Sequence, residues 1–389
     1  MFFCFLANKL TNLMPDIIVK EVTTRKELRT FIYLPSKVHS NDLKWLPPLY
    51  SDEFLLFNKK KNRSYKYSDA VLYLAWRGKK PVGRVMGLIN NRYNEIKQEK
   101  NGRFCFMECY DDQEVAHALL KKVEEWVLSM GMVKIVGPLA FSDKDPQGIQ
   151  IEGFELPYLF TAATNSLYLQ KLIETEGYLK EVDLVNYNID LPIELPLVYG
   201  KAYTWTMSKN GEFQIIEFKS KKELKPYIIP VLELMNETFS NIYGFVPLND
   251  KEKKELAERY LPILDPEFVK VVRSGNDMIG FIVGMPDLTS AIIDSKGKLL
   301  PFGIFRILRE MKHSKKLMLM LGGVKKEYRG SGVDVLMAVK IYNSAKKRNM
   351  TIIDSHLILE NNLRMRAECE RLDGKIVKRF RIYQKLLKT

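Results

Sequence analysis

Apolar and polar positions alternate in short runs along this chain, and the runs recur. Ile17-Ile-Val-Lys-Glu-Val22 has the β-branched character of a strand, and Thr24-Arg-Lys-Glu27 follows it as a capping box opening a helix. Val71-Leu-Tyr-Leu-Ala-Trp76 turns at Gly78 into Val82-Gly83-Arg-Val-Met-Gly87, which predicts a β-hairpin. A helical period runs from Val115 to Ser129, passes Gly131 and enters a strand at Val133-Lys-Ile-Val136. Asn165 is followed twelve residues later by Gly177, with apolar Leu167, Leu169, Leu172 and Ile173 between them.

The same elements return in the same order. Ser220-Lys-Lys-Glu223 follows the strand-like Phe213–Phe218, 196 residues after the first capping box. Val269–Arg273 turns at Gly275 into Ile279-Gly280-Phe-Ile-Val-Gly284, 197 residues after the first hairpin, with the three glycines again spaced five and four apart. Val333 to Lys347 is helical and leads through Asn349 into Thr351-Ile-Ile, and Asn362 is followed twelve residues on by Gly374, again at an offset of 197. Such order and spacing indicate an internal duplication. Each half reads strand, helix, hairpin, strand, helix, strand, helix, strand. The expected fold is α/β (α+β): two tandem mixed-sheet sandwiches. Leu191-Pro-Ile-Glu-Leu-Pro196, Gly200 and Asn210-Gly211 punctuate the chain between about 192 and 212. The expected organisation is an extension over 1–15, one domain over 16–195 and a second over 212–389. The apolar run Met1–Ala7 is far shorter than the ~20 residues that span a bilayer, and strand patterning begins only at Ile17, which favours Met14 as the start.

Composition narrows the class. A length of 389 residues with 46% hydrophobic and 28% charged residues fits two or three globular domains and excludes a polytopic membrane protein or a disordered chain. The net charge of +14 favours anionic partners such as nucleotides, coenzyme A, acidic carrier proteins or phospholipid. Nucleic acid has no helix-turn-helix, zinc module or aromatic stacking motif to support it. Cys4, Cys105, Cys109 and Cys369 are too scattered for a disulfide framework, and His39, His117, His313 and His356 form no ligand cluster. A reducing cytoplasm and no metal are expected. Cys105 and Cys109, four apart in a strand, are expected on one face.

The chemistry concentrates after Lys316-Leu-Met-Leu-Met-Leu-Gly-Gly-Val324, a nearly continuous apolar strand that runs into Lys325-Lys-Glu-Tyr-Arg329-Gly-Ser-Gly332 and then a helix. A Gly-rich turn opening a helix presents unpaired amides with the positive end of the helix dipole behind them, a cradle for phosphate. It is neither a P-loop nor the dinucleotide fingerprint. The first half has Glu108-Cys-Tyr-Asp111-Asp112-Gln-Glu114 here, acids that would repel a diphosphate. Between the second hairpin and the loop strand lies an insertion in which Ile304, Phe305, Ile307, Leu308 and Met311 form an apolar stripe beside Arg306, Arg309, Lys312, Lys315 and Lys316. It reads as a basic amphipathic helix that rests on the sheet, lines an acyl channel or meets an anionic bilayer.

Arg-x-x-Gly-x-(Gly/Ala) between a buried strand and a helix resembles the pyrophosphate loop of the GNAT family, the acyl-CoA-dependent N-acyltransferases, with Arg329, Gly332 and Asp334 at the three motif positions. Thr351–Leu372 is similar to that family's following strand and Asn-initiated helix, and Val377–Tyr383 to its last strand. Trp45-Leu-Pro-Pro-Leu49, Gly137-Pro138, Gly153-Phe154 and Glu360-Asn-Asn362 more narrowly resemble a bacterial tandem-GNAT group, some of whose relatives are implicated in acylating sphingoid bases. The resemblance implies acyl transfer from acyl-CoA, including long chains, to a small-molecule or lipid amine. An acyl-carrier protein and the inner face of the membrane are further expected contacts. It implies backbone donors to the thioester oxygen at Gly323 or Val324, and a cofactor cradle of Lys325, Arg329, Gly330, Ser331, Gly332, Val333 and Asp334, with Asn362 nearby. Glu360 is the first expected base, then His356, with Asp354 beside them; Cys369 is a weak acid. Two positions depart from the family. Asp334 replaces a small residue, and Cys369 (Leu172 in the first half) stands where a Tyr acid is common. These departures suit the alternative of a catalytically degenerate module that binds a carrier protein or a membrane.

Overall fold

The computed structural model describes residues 15–208 and 212–388. Most of the expected N-terminal extension and the Asn210-Gly211 turn lie outside the described residues. The first half supplies β1 (Ile17–Glu21), β2 (Ser68–Arg77), β3 (Lys80–Asn90), β4 (Asn101–Cys109), β5 (Lys134–Gly137), β6 (Ile149–Glu152) and β7 (Leu179–Asp190). The second supplies β8 (Gln214–Glu217), β9 (Val269–Ser274), β10 (Asp277–Pro286), β11 (Lys316–Val324), β12 (Ile352–Ser355), β13 (Ile358–Leu359) and β14 (Lys375–Leu386). The expected element order is present in both halves, with a short sixth strand added in each.

All strands join one sheet in the order β1-β2-β3-β4-β5-β14-β7-β12-β11-β10-β9-β8, with β6 on β14 and β13 on β7. Among the described residues, only β4–β5 and β11–β12 are parallel. These are the pairs separated by the long helices Gln113–Ser129 and Val333–Lys347, because a parallel neighbour needs a crossover. The last strands are exchanged: β7 pairs with β12 of the second half, β14 pairs with β5 of the first, and the two meet each other at the centre. The halves separated in sequence near residue 200 are therefore continuous through the sheet.

Local chemistry accounts for the repeated signals. Thr24 accepts the Glu27 amide while Glu27 returns to the Thr24 amide. Ser220 likewise accepts the Glu223 amide, but Glu223 reaches the amide of Lys219 instead of closing the box on Ser220. The paired glycines Gly83 and Gly280 share one cause. A Cβ on Gly83 would meet Val115 and Leu119 at 2.8 Å, and one on Gly280 would meet Val333 at 2.7 Å, so each lets the hairpin seat against its crossover helix. Asn349, with φ of 52°, takes the left-handed turn that Gly131 takes in the first copy.

The expectation that Cys105 and Cys109 share a face is incorrect. The β3–β4 register slips between Arg84 and Met86, and Phe106 has φ of 51°. This bulge inverts the alternation. Cys105 packs under the Arg25–Tyr33 side with Phe31 and Leu74, and Cys109 under Gln113–Ser129 with Val115 and Leu119. β11 bulges at Met320, where Val283 pairs with Leu321 but Gly284 pairs with Leu319.

Candidate active site

Both bulges stand where a strand parts from its parallel neighbour. β11 and β12 stay in register from Lys316↔Ile352 to Leu319↔Ser355, and the last tie is the His356 amide to the Leu319 carbonyl at 3.0 Å. Beyond it β11 runs on to Val324 while the other chain turns away to form β13 on β7. The added twist of a bulge opens this fork. The Lys325 amide donates to Ile279 at 2.9 Å, so in the antiparallel ladder Lys325, Gly323 and Leu321 face β10. Gly322 and Val324 alternate with them and direct their amides into the fork. Of the two residues expected from the sequence, Val324 has this orientation, Gly323 does not, and Gly322 has it.

The loop continues the row of donors. Among the described residues, nothing accepts from the amides of Gly330, Gly332, Val333 or Asp334 at the start of the Val333–Lys347 helix. The exposed Arg329 folds back so that Nε donates to the Val324 carbonyl at 3.2 Å, leaving its terminal nitrogens without a partner among the described residues. Lys325 is drawn away by Asp277, at 2.7 and 2.9 Å, and Ser331 donates its hydroxyl to the Tyr328 carbonyl at 2.6 Å. Gly330 has φ of 81° with open space around it. Gly332 has φ of 97°, and a Cβ there would lie 2.1 Å from Thr206 Oγ1, so its bareness admits the helix Leu197–Met207. The Val333 side chain is buried against the hairpin. Asp334 is exposed, and its Oδ1 accepts the amide of Val335 at 3.0 Å.

The remaining expected residues separate in space. Glu360 is held by Lys180 Nζ at 2.7 Å and by the Asp183 amide at 3.0 Å, which makes it a clamp between β13 and β7. Asn362 caps its own helix through the Met365 amide at 3.3 Å. Cys369 is buried among Ile189, Ile353 and Leu372, and burial pushes its thiol up to about 12.

His356 and Asp354 stay at the vertex of the fork. His356 Nδ1 accepts the Leu357 amide at 2.6 Å, so the neutral ring carries its proton on Nε2 and can donate there, not accept. Burial lowers its pKa to about 4, which keeps it neutral at pH 7. Asp354 is fully buried, and burial raises its pKa to about 6 against the opposing pull of Lys316 at 3.2 Å and Asn186 at 2.6 Å.

In the first half the corresponding fork is filled by the protein. The Leu139 amide bonds back to Phe104 at 3.0 Å, and Arg103 donates to Ala140 at 2.7 Å. Glu108 turns inward to His39 Nε2 at 3.0 Å, Ser166 lies 3.3 Å from His39 Nδ1, and Trp45 stacks on the imidazole. Of the neighbouring acids, Asp112 caps the crossover helix and joins Glu114 on Arg77. The sequence reading did not find this buried cluster. Its members lie up to 127 residues apart, and only Trp45 and Glu108 fall in segments that the sequence singles out, neither of which points to the other.

Comparison with known proteins agrees with this architecture. No family model matches the chain. The bacterial ceramide synthase of Caulobacter vibrioides is 26% identical over 379 residues, covering 96% of this chain and 98% of that protein. Protein YghO of Escherichia coli is 26% identical over 377 residues, covering 95% of each. Among solved structures, a tandem GNAT protein from the clavulanic acid biosynthesis pathway superposes with a TM-score of 0.55 at 10% identity, over 96% of this chain and 99% of that one. A GCN5-related N-acetyltransferase from Sphaerobacter thermophilus gives 0.52 at 13% identity, over 97% and 98%. With two forked, seven-stranded halves in one chain, the protein has the tandem GNAT fold.

Proposed function

We propose that this protein transfers an acyl group from acyl-CoA to the nitrogen of an amine, with the coenzyme in the second half and long acyl chains among its donors. The observation that carries this reading is the continuous row of unpaired donors, from Gly322 and Val324 in the fork to Gly330, Gly332, Val333 and Asp334 at the helix start. Arg329, with Lys326 on the same loop, supplies the positive charge that a diphosphate needs. Two carboxylates oppose it: Asp334, turned to its own helix, and the exposed Glu327 on the same loop.

The chemistry follows from the groups at the vertex. The amine nitrogen attacks the thioester carbonyl, the carbon–sulfur bond breaks, and the thiolate leaves and takes up a proton. Amides aimed into the fork stabilise the oxygen as charge develops on it, and His356 Nε2–H is a third donor beside them. Asp354 takes the proton released by the attacking ammonium. A carboxylate with a pKa near 6 is ionised at neutral pH yet more basic than an exposed one. Because its folded pKa is raised, Asp354 contributes stability that is full below about pH 4 and lost as pH rises through about 6, so ionisation at pH 7 opposes folding.

Thiol release from palmitoyl-CoA in the presence of a long-chain amine tests the proposal. Release is expected to rise as pH increases through about 6, and Asp354→Asn should remove that limb and lower the rate roughly 10²- to 10⁴-fold. An Asp354→Asn enzyme with the wild-type rate and pH profile would exclude this base. Absence of amine-dependent thiol release at any pH would exclude transfer. The burial of Cys369 where the family often has a Tyr acid favours a second reading, a module that binds an acyl-carrier protein without turnover. Capture of acylated carrier protein with no thiol release distinguishes it.

A further inference from the structure

The insertion between β10 and β11 has no counterpart of similar character in the first half, and it leaves apolar surface uncovered. Its helix, Gly303–His313, turns Ile307 inward to a cluster with Met285, Leu288, Ala291, Ile292 and Met318. The sequence stripe therefore divides: Ile307 and Met311 pack inward, while Phe305 and Leu308 face out, 67% and 49% exposed. Leu300 and Phe302 extend that face at 80% and 71% exposure. Phe302, Phe305 and Leu308 are spaced three apart, which aligns them along one side of the helix. A contiguous apolar surface of this kind marks a docking site more often than a solvated face.

Charge selects the occupant. Lys296, Lys298, Arg309, Lys312 and Lys315 surround these side chains and are all exposed, and none has a carboxylate within salt-bridge distance among the described residues. Arg306 is held by the Asp294 carbonyl. Five cations without ion-pair partners, outnumbering the nearby Glu310 and Asp294, surround protruding Leu and Phe and match an anionic lipid surface, where the rings enter the headgroup boundary and the cations meet phosphate. No helix among the described residues is long and apolar enough to cross a membrane, so the contact lies in the interface.

We infer that Leu300, Phe302, Phe305 and Leu308 insert into an anionic phospholipid bilayer, with Lys296, Lys298, Arg309, Lys312 and Lys315 bound to its phosphates. Resting on the proposed acyl transfer, this names the class of acceptor as a membrane-resident lipid amine. The cluster beneath Ile307 continues to Met320 and Leu357, which flank the fork, so the lipid-facing helix and the vertex share one apolar body.

Co-sedimentation with phosphatidylcholine–phosphatidylglycerol vesicles tests the inference. The protein is expected to bind these vesicles, to bind phosphatidylcholine alone far less, and to be released by salt. Phe302→Ser/Phe305→Ser and Lys312→Glu/Lys315→Glu should each weaken partitioning about tenfold or more. Leu197→Ser/Val198→Ser, on the exposed face of the linker helix, should leave it unchanged. Binding that survives both insertion variants, or that follows the linker variant instead, overturns the assignment. So does an acyl-carrier protein, rather than vesicles, as the partner lost in the insertion variants. Coenzyme A titration of the same proteins keeps the two proposals apart, since vesicle binding without coenzyme binding sinks the transferase and retains the membrane contact.

Discussion

Replacing Asp183 by alanine is expected to cost about 2–4 kcal/mol of stability. The residue sits on β7 directly opposite Arg381 of β14, where the exchanged strands meet. Its carboxylate is 3% exposed and accepts Arg381 Nε at 2.8 Å and Nη2 at 3.0 Å, with Lys180 at 3.3 Å and Arg379 at 3.9 Å. Burial alone would raise its pKa; the Arg381 bonds, then Lys180, outweigh that and hold it below the usual carboxylate range. A depressed carboxylate contributes stability that is present above its unfolded pKa and lost as pH falls through the folded one, so this contact fails only in acid. Alanine leaves three cations around a small void. The partial exposure of Arg381, 23%, and of Lys180, 41%, lets water relieve them and keeps the cost below that of a fully enclosed pair. Urea unfolding should show a lower midpoint, with the two halves separating into distinct transitions as their shared strands loosen. A midpoint within about 0.5 kcal/mol of wild type would mean that the exchange does not depend on this pair.

Replacing Arg329 by glutamate should weaken coenzyme A binding roughly 30- to 100-fold at moderate salt, as measured by titration calorimetry. The side chain is exposed and tied only through Nε to the Val324 carbonyl, so the substitution does not disturb the core. Reversing one charge near a diphosphate changes several charge pairs at about 6 Å, each worth somewhat under 1 kcal/mol in water. The deficit should shrink as salt increases, because an exposed interaction is screened. Arg329→Gln should fall between the two, having lost attraction without adding repulsion. Wild-type affinity in the glutamate variant would show that the coenzyme does not occupy this loop, and the fork would then need another ligand.

The two kinds of site residue differ in how far sequence alone could reach. The loop Lys325–Gly332 was legible because its chemistry is local: glycines with positive φ, a helix start and a nearby arginine all lie within a few residues. The role of Gly332 was only half legible. Its conformation follows from the turn, whereas its contact with Thr206 depends on a helix that arrives from the interdomain segment. His356 could be noticed beside the fork, but its tautomer is set by the Leu357 amide and its neutrality by burial. Glu360 is the first candidate base from sequence, ahead of His356, and in the structure it is bonded to Lys180 and the Asp183 amide instead.

The duplication, the Thr24 capping box and the Ser220 cap, the hairpins and the mixed α/β class were present in the order of residues, because hydrogen-bonded turns and side-chain periodicity act over a few positions. The partners of β7 and β14 were not. Each is a twelve-residue strand that would fit the open edge of its own half as well as that of the other, so no local pattern distinguishes the two pairings. The bulges at Phe106 and Met320 were equally silent, although they decide which face Cys109 occupies and which amides enter the fork. Such choices rest on contacts between residues far apart in the chain, made only when the two halves join into one sheet and the buried Asp183 of β7 finds Arg381 on β14.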